Sequence, residues 1–267
     1  MFDEHPFGGE YHPACEAGLD NTPALQAAID HAASHGGGVV VVPPGTWMLS
    51  SSLNLRSNVA LRGVTPTGSV LLATHEAPLI SVTGGGQGWS VENLTLDGSA
   101  DEACKTGASS AISVSGGAGF VILRRLLVRR LREDALTFGH GALSNIFVES
   151  VAVDRCGQSA LVLAPERPSA ALFLTDISIH GFGRGTATPP SGAPRAAVHL
   201  RARCAISQLH IEPVGPAQTG MWFDQRSDYT VVSGLYVGLR GGTPTLIGPG
   251  RKGIKLSTHA FHDLGSS

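Results

Sequence analysis

Apolar residues fall two apart along this chain in a unit that returns six times: VENLTLDG (91–98), LRRLLVRR (123–130), VESVAVDR (148–155), LTDISIHG (174–181), ISQLHIEP (206–213) and VSGLYVGL (232–239). The inner anchors Leu94, Leu126, Val151, Ile177, Leu209 and Leu235 are spaced by 32, 25, 26, 32 and 26 residues. A second short run follows each unit: AISV, ALTF, ALVL, AVHL, GMWF and GIKL. Alternation at period two places one side of a strand inward and the other outward. Recurrence near 25 residues predicts a solenoid whose coils bury their apolar sides on one another.

Before the repeat, the period changes. Asp20-Asn21-Thr22-Pro23 is a helix start, a capping side chain with proline in the first turn. Leu25, Ala28, Ile29 and Ala32 share one helical stripe, and Gly36-Gly37-Gly38 ends it. An amphipathic helix there is expected to lid the open end of the stack. VVVVPPGTWMLSSSLNL (39–55) opens the coils; 59–61, 70–72 and 79–82 read as further strands. Ile254 and Leu256 mark a last strand, followed by a polar tail with His259 and His262. The expectation is one domain over 1–267: capping helix and turn 20–38, coils 39–257, tail 258–267.

The stretch DNTPALQAAIDHAASHGGGVVVVPPGTWML resembles the opening of the pectate-lyase-like superfamily, with Trp47 where an aromatic is usual, and the likeness continues through the NLTLDG-type coils. The resemblance implies an all-β, right-handed parallel β-helix of about eight coils with an N-terminal capping α-helix. The superfamily holds lyases, hydrolases, epimerases, fructan transferases and phage spikes, so fold does not choose the reaction. Glu133-Asp134 through Gly139-His140-Gly141 is similar to the DDxxxxxxG stretch of polygalacturonase-like hydrolases. The preceding coil, ASSAISVSG, lacks the matching Asp. Asp134 is therefore a substrate-binding candidate with turn capping as its alternative role.

Loop lengths add a direction. The intervals after each unit vary (16, 8, 8, 19, 10 and 17 residues), whereas those leading to the next unit stay between 11 and 16. The insertions SADEACKTGAS, GRGTATPPSGAP and RGGTPTLIGPGRK thus gather at one corner, where they would wall a binding face. Just past the second inner anchor, the outward residues are Asp97, Arg129, Asp154, His180, Glu212 and Gly238. Strands stack about 4.8 Å apart, which makes this a ladder of acid, base, acid, imidazole and acid with alternate carboxylates roughly 9–10 Å apart. Asp97, Arg129, Asp154, His180 and Glu212 are the catalytic candidates. Arg130, Arg155, His210 and Tyr236 join Asp134 as candidates for substrate binding. A solvated ladder that merely keeps like charges apart is the alternative. On the second run, His199, Trp222 and Lys255 face outward with Arg201 and Asp224 beside them, and His199 is a further ligand or base candidate.

Composition narrows the classes. Of 267 residues 35 are Gly, charged residues make up 15%, and net charge is −2. That fits many tight turns and argues against nucleic acid as a partner. No apolar run spans a membrane. The N-terminus lacks the apolar core of a secretion signal, so the chain as numbered reads as cytoplasmic, or as secreted once a leader has gone. Cys15, Cys104, Cys156 and Cys204 share no metal spacing and read as free thiols. No metal or other cofactor is expected, with Ca²⁺ between carboxylates as the alternative. The expected partner is a carbohydrate or small-molecule substrate; a homo-oligomer is left open. The density of arginine favours a polysaccharide lyase that cleaves a uronate-containing glycan by β-elimination. A paired-carboxylate glycosidase or transglycosylase, an intracellular small-molecule isomerase or cyclase, and a non-catalytic glycan binder are the alternatives.

Overall fold

A computed structural model of the chain describes residues 10–11, 18–185 and 194–264. His5, His12, Cys15 and the middle of the GRGTATPPSGAP insertion lie outside them.

The helix runs Thr22–Ser34. Asn21 is the N-cap residue, but the side chain that caps is that of Asp20: Asp20 Oδ1 accepts the Thr22 N–H at 3.0 Å and the Thr22 hydroxyl at 2.7 Å, and Oδ2 accepts the Ser50 hydroxyl at 2.7 Å. The Ser50 and Thr22 bonds hold the Asp20 carboxyl down to about 2. Leu25, Ile29 and Ala32 are fully buried against the first coils, where the helix touches strands Gly38–Val42, Leu53–Asn54 and Val59–Gly63. The expected lid is present.

All named pairings are parallel and form two sheets, of 13 and eight strands. They wind into a β-solenoid of about nine turns. The long strands Ala118–Leu131 and Leu143–Cys156 pair in register, Leu126 on Val151 and Arg129 on Asp154. Neither is straight. Arg125 and Ser150 both have φ 51°, and their neighbours on other coils, Asn93, Asp176, Gln208 and Gly234, have φ between 54° and 64°. A column of left-handed residues therefore turns a corner through the middle of every repeat. It also explains the spacing within the unit: Val91 and Leu94 both point inward although three apart, because the corner residue between them resets the alternation. Each coil has three faces, one on the eight-stranded sheet and two on the bent larger sheet. The core between them is aliphatic, with Trp89 stacked on Phe138 at 6.5 Å.

The last coil departs from expectation. RGGTPTLIGPGRK is not only an insertion, since Thr243–Ile247 within it pairs with Gln218–Phe223 as the edge of the eight-stranded sheet. GIKL is not the second run of its unit. Lys255–Asp263 pairs with Val231–Leu239 in the larger sheet, and His259 and His262 belong to this strand rather than to a tail. TPTLI hides its identity because none of its residues is buried, and Pro244 is tolerated only because the strand is an edge. Cys104, Cys156 and Cys204 are free and buried. Among the described residues, no helix is long and apolar enough to cross a membrane.

Candidate functional site

The expected column exists: Asp97, Arg129, Asp154, His180 and Glu212 are successive partners across the strands. Its two halves differ. Asp97 is 1% exposed. Its Oδ2 takes the Arg129 Nε–H at 2.8 Å and the Arg130 Nη2–H at 2.7 Å, and its Oδ1 takes the Arg130 Nε–H at 2.8 Å and the Ser99 N–H at 2.9 Å. Burial pushes this carboxyl up, but the Arg130 and Ser99 bonds and the two guanidinium charges outweigh it, and the net shift is downward. The segment after it folds inward on Ala100, Cys104 and Ala108, all buried, instead of rising as a wall. Asp97 is thus shut off from solvent, with Arg129 and Arg130 held as its counter-ions.

Asp154 is exposed and has no ion pair among the described residues. Arg155 occupies a second corner at φ 60°, its charge acting on the buried Cys104 thiol. Asp134 stands away from the column. It accepts the Ser159 N–H at 2.8 Å, tying one coil to the next, and burial pushes its carboxyl up. At the far end His180, His210, Glu212 and Tyr236 do come together. His210 Nε2 lies 3.2 Å and His180 Nδ1 4.0 Å from Glu212 Oε1, and the His210 ring lies 4.5 Å from Tyr236.

A second set of part-buried polar contacts lies on the eight-stranded sheet. His199 and Trp222 are partners on neighbouring strands and stack at 4.1 Å, 14° from parallel. His199 Nε2 lies 3.2 Å from Asp224 Oδ2, and Arg201 Nε lies 3.4 Å from the same oxygen. The His199 and Asp224 side chains are 18% and 20% exposed. Burial lowers the His199 pKa; Asp224 pulls it back up, but the net shift is downward, so the imidazole is neutral at pH 7. Lys255, expected on this face, is on the other sheet.

Three adjoining hollows form a trough along this edge. Arg167, Arg201, Arg203 and Arg226 line the middle one. Arg226 continues into the second, with Asp224 and Arg251. Arg203 and Ser169 continue into the third, a hollow of about 270 Å³ bounded by Phe173 and Tyr229. Arg251 is tied to Asp228 at 3.2 Å, whereas Arg167 and Arg203 have no ion pair among the described residues. Sequence reasoning placed His199, Trp222, Arg201 and Asp224 together but outside the site, and it missed Arg167, Arg203, Arg226 and Tyr229. The legible signal was His-x-Arg followed by Trp-x-Asp on successive coils, which period two puts on one face.

A family model described as rhamnogalacturonase A/epimerase, pectate lyase-like, matches residues 17–83. Solved structures extend the likeness to the whole solenoid. The A-module of mannuronan C-5 epimerase AlgE4 from Azotobacter vinelandii superposes with a TM-score of 0.57 at 15% identity, over 94% of this chain and 74% of that one. The fold shared with that structure is a parallel β-helix. PfbA, a surface adhesin of Streptococcus pneumoniae, gives 0.57 at 11% identity over 95% and 70%. The tailspike protein of E. coli bacteriophage HK620, in complex with a hexasaccharide, gives 0.55 at 15% over 92% and 54%. No curated protein matches in sequence.

Proposed function

We propose that this protein acts on a uronate-containing carbohydrate in the trough beside the His199–Asp224 pair by removing the proton α to the sugar carboxylate. The observation that carries the reading is a part-buried imidazole 3.2 Å from the Asp224 carboxylate, with Arg201 on the same oxygen and both Asp224 and Arg201 lining hollows that hold further guanidinium groups. With its Nε2–H given to Asp224, His199 has its Nδ1 lone pair free to act as base. Proton loss sends an electron pair into the carboxylate, and Arg201, Arg203 and Arg226 neutralise the developing dianion. Expulsion of the 4-oxygen substituent, which leaves with a proton, completes β-elimination. Return of a proton to the opposite face completes epimerisation instead. The solved structures named above include an epimerase, and an alginate lyase from Paenibacillus sp. shares the fold at a TM-score of 0.50 and 11% identity.

Paired-carboxylate hydrolysis is disfavoured at this place. Asp224 and Asp228 are each engaged by arginine, so neither stands free as one member of a carboxylate pair. The test is a panel of acidic and neutral polysaccharides read for unsaturated-product absorbance, C5 inversion and reducing ends together. Absorbance or inversion that needs His199 supports the reading. Reducing ends alone point to hydrolysis, and glycan retained unchanged points to a binding protein.

A further inference from the structure

On the opposite side of the solenoid, His180, His210 and Glu212 stand on two adjacent strands with their polar edges toward one another. His210 Nε2 is buried and has no hydrogen-bond partner. Glu212 Oε1 is 3.2 Å away but off the line of a hydrogen bond. A covered, unsatisfied imidazole nitrogen beside a carboxylate needs an explanation, and a bound ion is one. We propose that His180, His210 and Glu212 bind a divalent transition-metal ion of the Zn²⁺ class.

The spans fit. With bonds near 2.0–2.1 Å, ligand atoms around a tetrahedral ion lie about 3.3 Å apart, and two imidazole centroids lie about 5 Å apart. His210 Nε2 and Glu212 Oε1 already have that span at 3.2 Å, and the His180 and His210 centroids are 5.6 Å apart. No three such side chains are at coordination distance as they stand among the described residues. His180 Nδ1, at 4.0 Å from Glu212 Oε1, must close by about 0.7 Å. Its side chain is 47% exposed, which leaves it room to rotate. Two nitrogens and one oxygen select Zn²⁺ and its neighbours over Ca²⁺, which wants oxygen alone. Remaining positions go to water. Gly238 gives the carboxylate its space, since a Cβ there would lie 3.0 Å from Glu212 Oε2.

The helix offers the rival pair, His31 and His35, with rings 4.3 Å apart. The test titrates Zn²⁺ into the chelator-treated full chain by calorimetry, with thermal melting in parallel. The expected result is one equivalent bound with a rise in Tm. His210→Ala and Glu212→Gln should each weaken affinity at least 10–100-fold, the loss seen when only a supporting group is removed. His31→Ala/His35→Ala should bind like wild type. Metal-free melting of each variant separates lost ligation from lost folding. Absence of binding, binding that survives His210→Ala and Glu212→Gln, or binding lost only in the helix variant overturns the proposal. None of these outcomes touches the reading of the trough.

Discussion

Asp97 and Asp224 are both carboxylates at strand ends that face arginine, and along the sequence they look alike. Their surroundings are opposite. Asp97 is 1% exposed and bonded by two arginines and a turn N–H. Asp224 is 20% exposed, is held at 3.2 Å by a histidine and at 3.4 Å by one arginine, and opens on a hollow. The difference comes from the chain that follows each. After Asp97 the segment tucks Ala100, Cys104 and Ala108 inward and seals the rung. After Asp224 the Gln225–Arg226 turn leaves the edge of the solenoid open. A sealed ion pair serves architecture; an open one with longer contacts can exchange partners with substrate.

That contrast can be broken most sharply at the trough. His199→Ala should cost about 10²–10⁴-fold in kcat/KM on a uronate substrate, the worth of a general base, with a stability loss of only about 0.5–1.5 kcal/mol for its ring contact with Trp222. Asp224→Asn should cost less, because the base survives without its orienting partner. At the sealed rung the effects invert. Asp97→Ala removes the hydrogen bonds of both arginines, whose side chains at 38% and 36% exposed still reach water, and should cost about 1–3 kcal/mol in denaturant unfolding, with activity per folded molecule retained. Large loss of activity without loss of stability there would reverse the roles.

pH separates the two sites next. The folded pKa of Asp97 is depressed, so its contribution is present above the unfolded value of 3.8 and is lost as pH falls through the lower folded value. Asp97→Asn should remove that part of the acid-unfolding curve. His199 is also depressed, below 6.5, so activity should persist through pH 6.5 and fall only as the imidazole protonates below it. A profile whose acid limb stays above 6.5 contradicts this. The smallest effect belongs to Trp222→Leu, which loses one ring contact worth about 0.5–1.5 kcal/mol, a few-fold to tenfold in kcat/KM.

Much of the fold was legible because burial repeats. Leu94, Leu126, Val151 and their counterparts mark inward positions, and the helix stripe announces its lid. The corner inside each unit was not legible. Asn93, Asp176 and Gly234 are residue types that favour φ > 0, whereas Arg125, Ser150 and Gln208 take it because stacked coils impose it. The last coil was misread because Thr243–Ile247 buries nothing. Of the site, the column itself was correct in register, but register says nothing about cover: Asp97 and Glu212 occupy equivalent places and differ in access. The arginines of the trough escaped notice because Arg167, Arg203 and Arg226 sit in connecting segments of different coils, and only the winding brings them together.

The most direct test incubates uronate polymers with the protein in D₂O and reads two signals, unsaturated ends by absorbance and deuterium at C5. At least one should appear with wild type and with Glu212→Gln and vanish with His199→Ala. A signal that survives His199→Ala but disappears in Glu212→Gln would return the chemistry to the outward ladder and contradict the account.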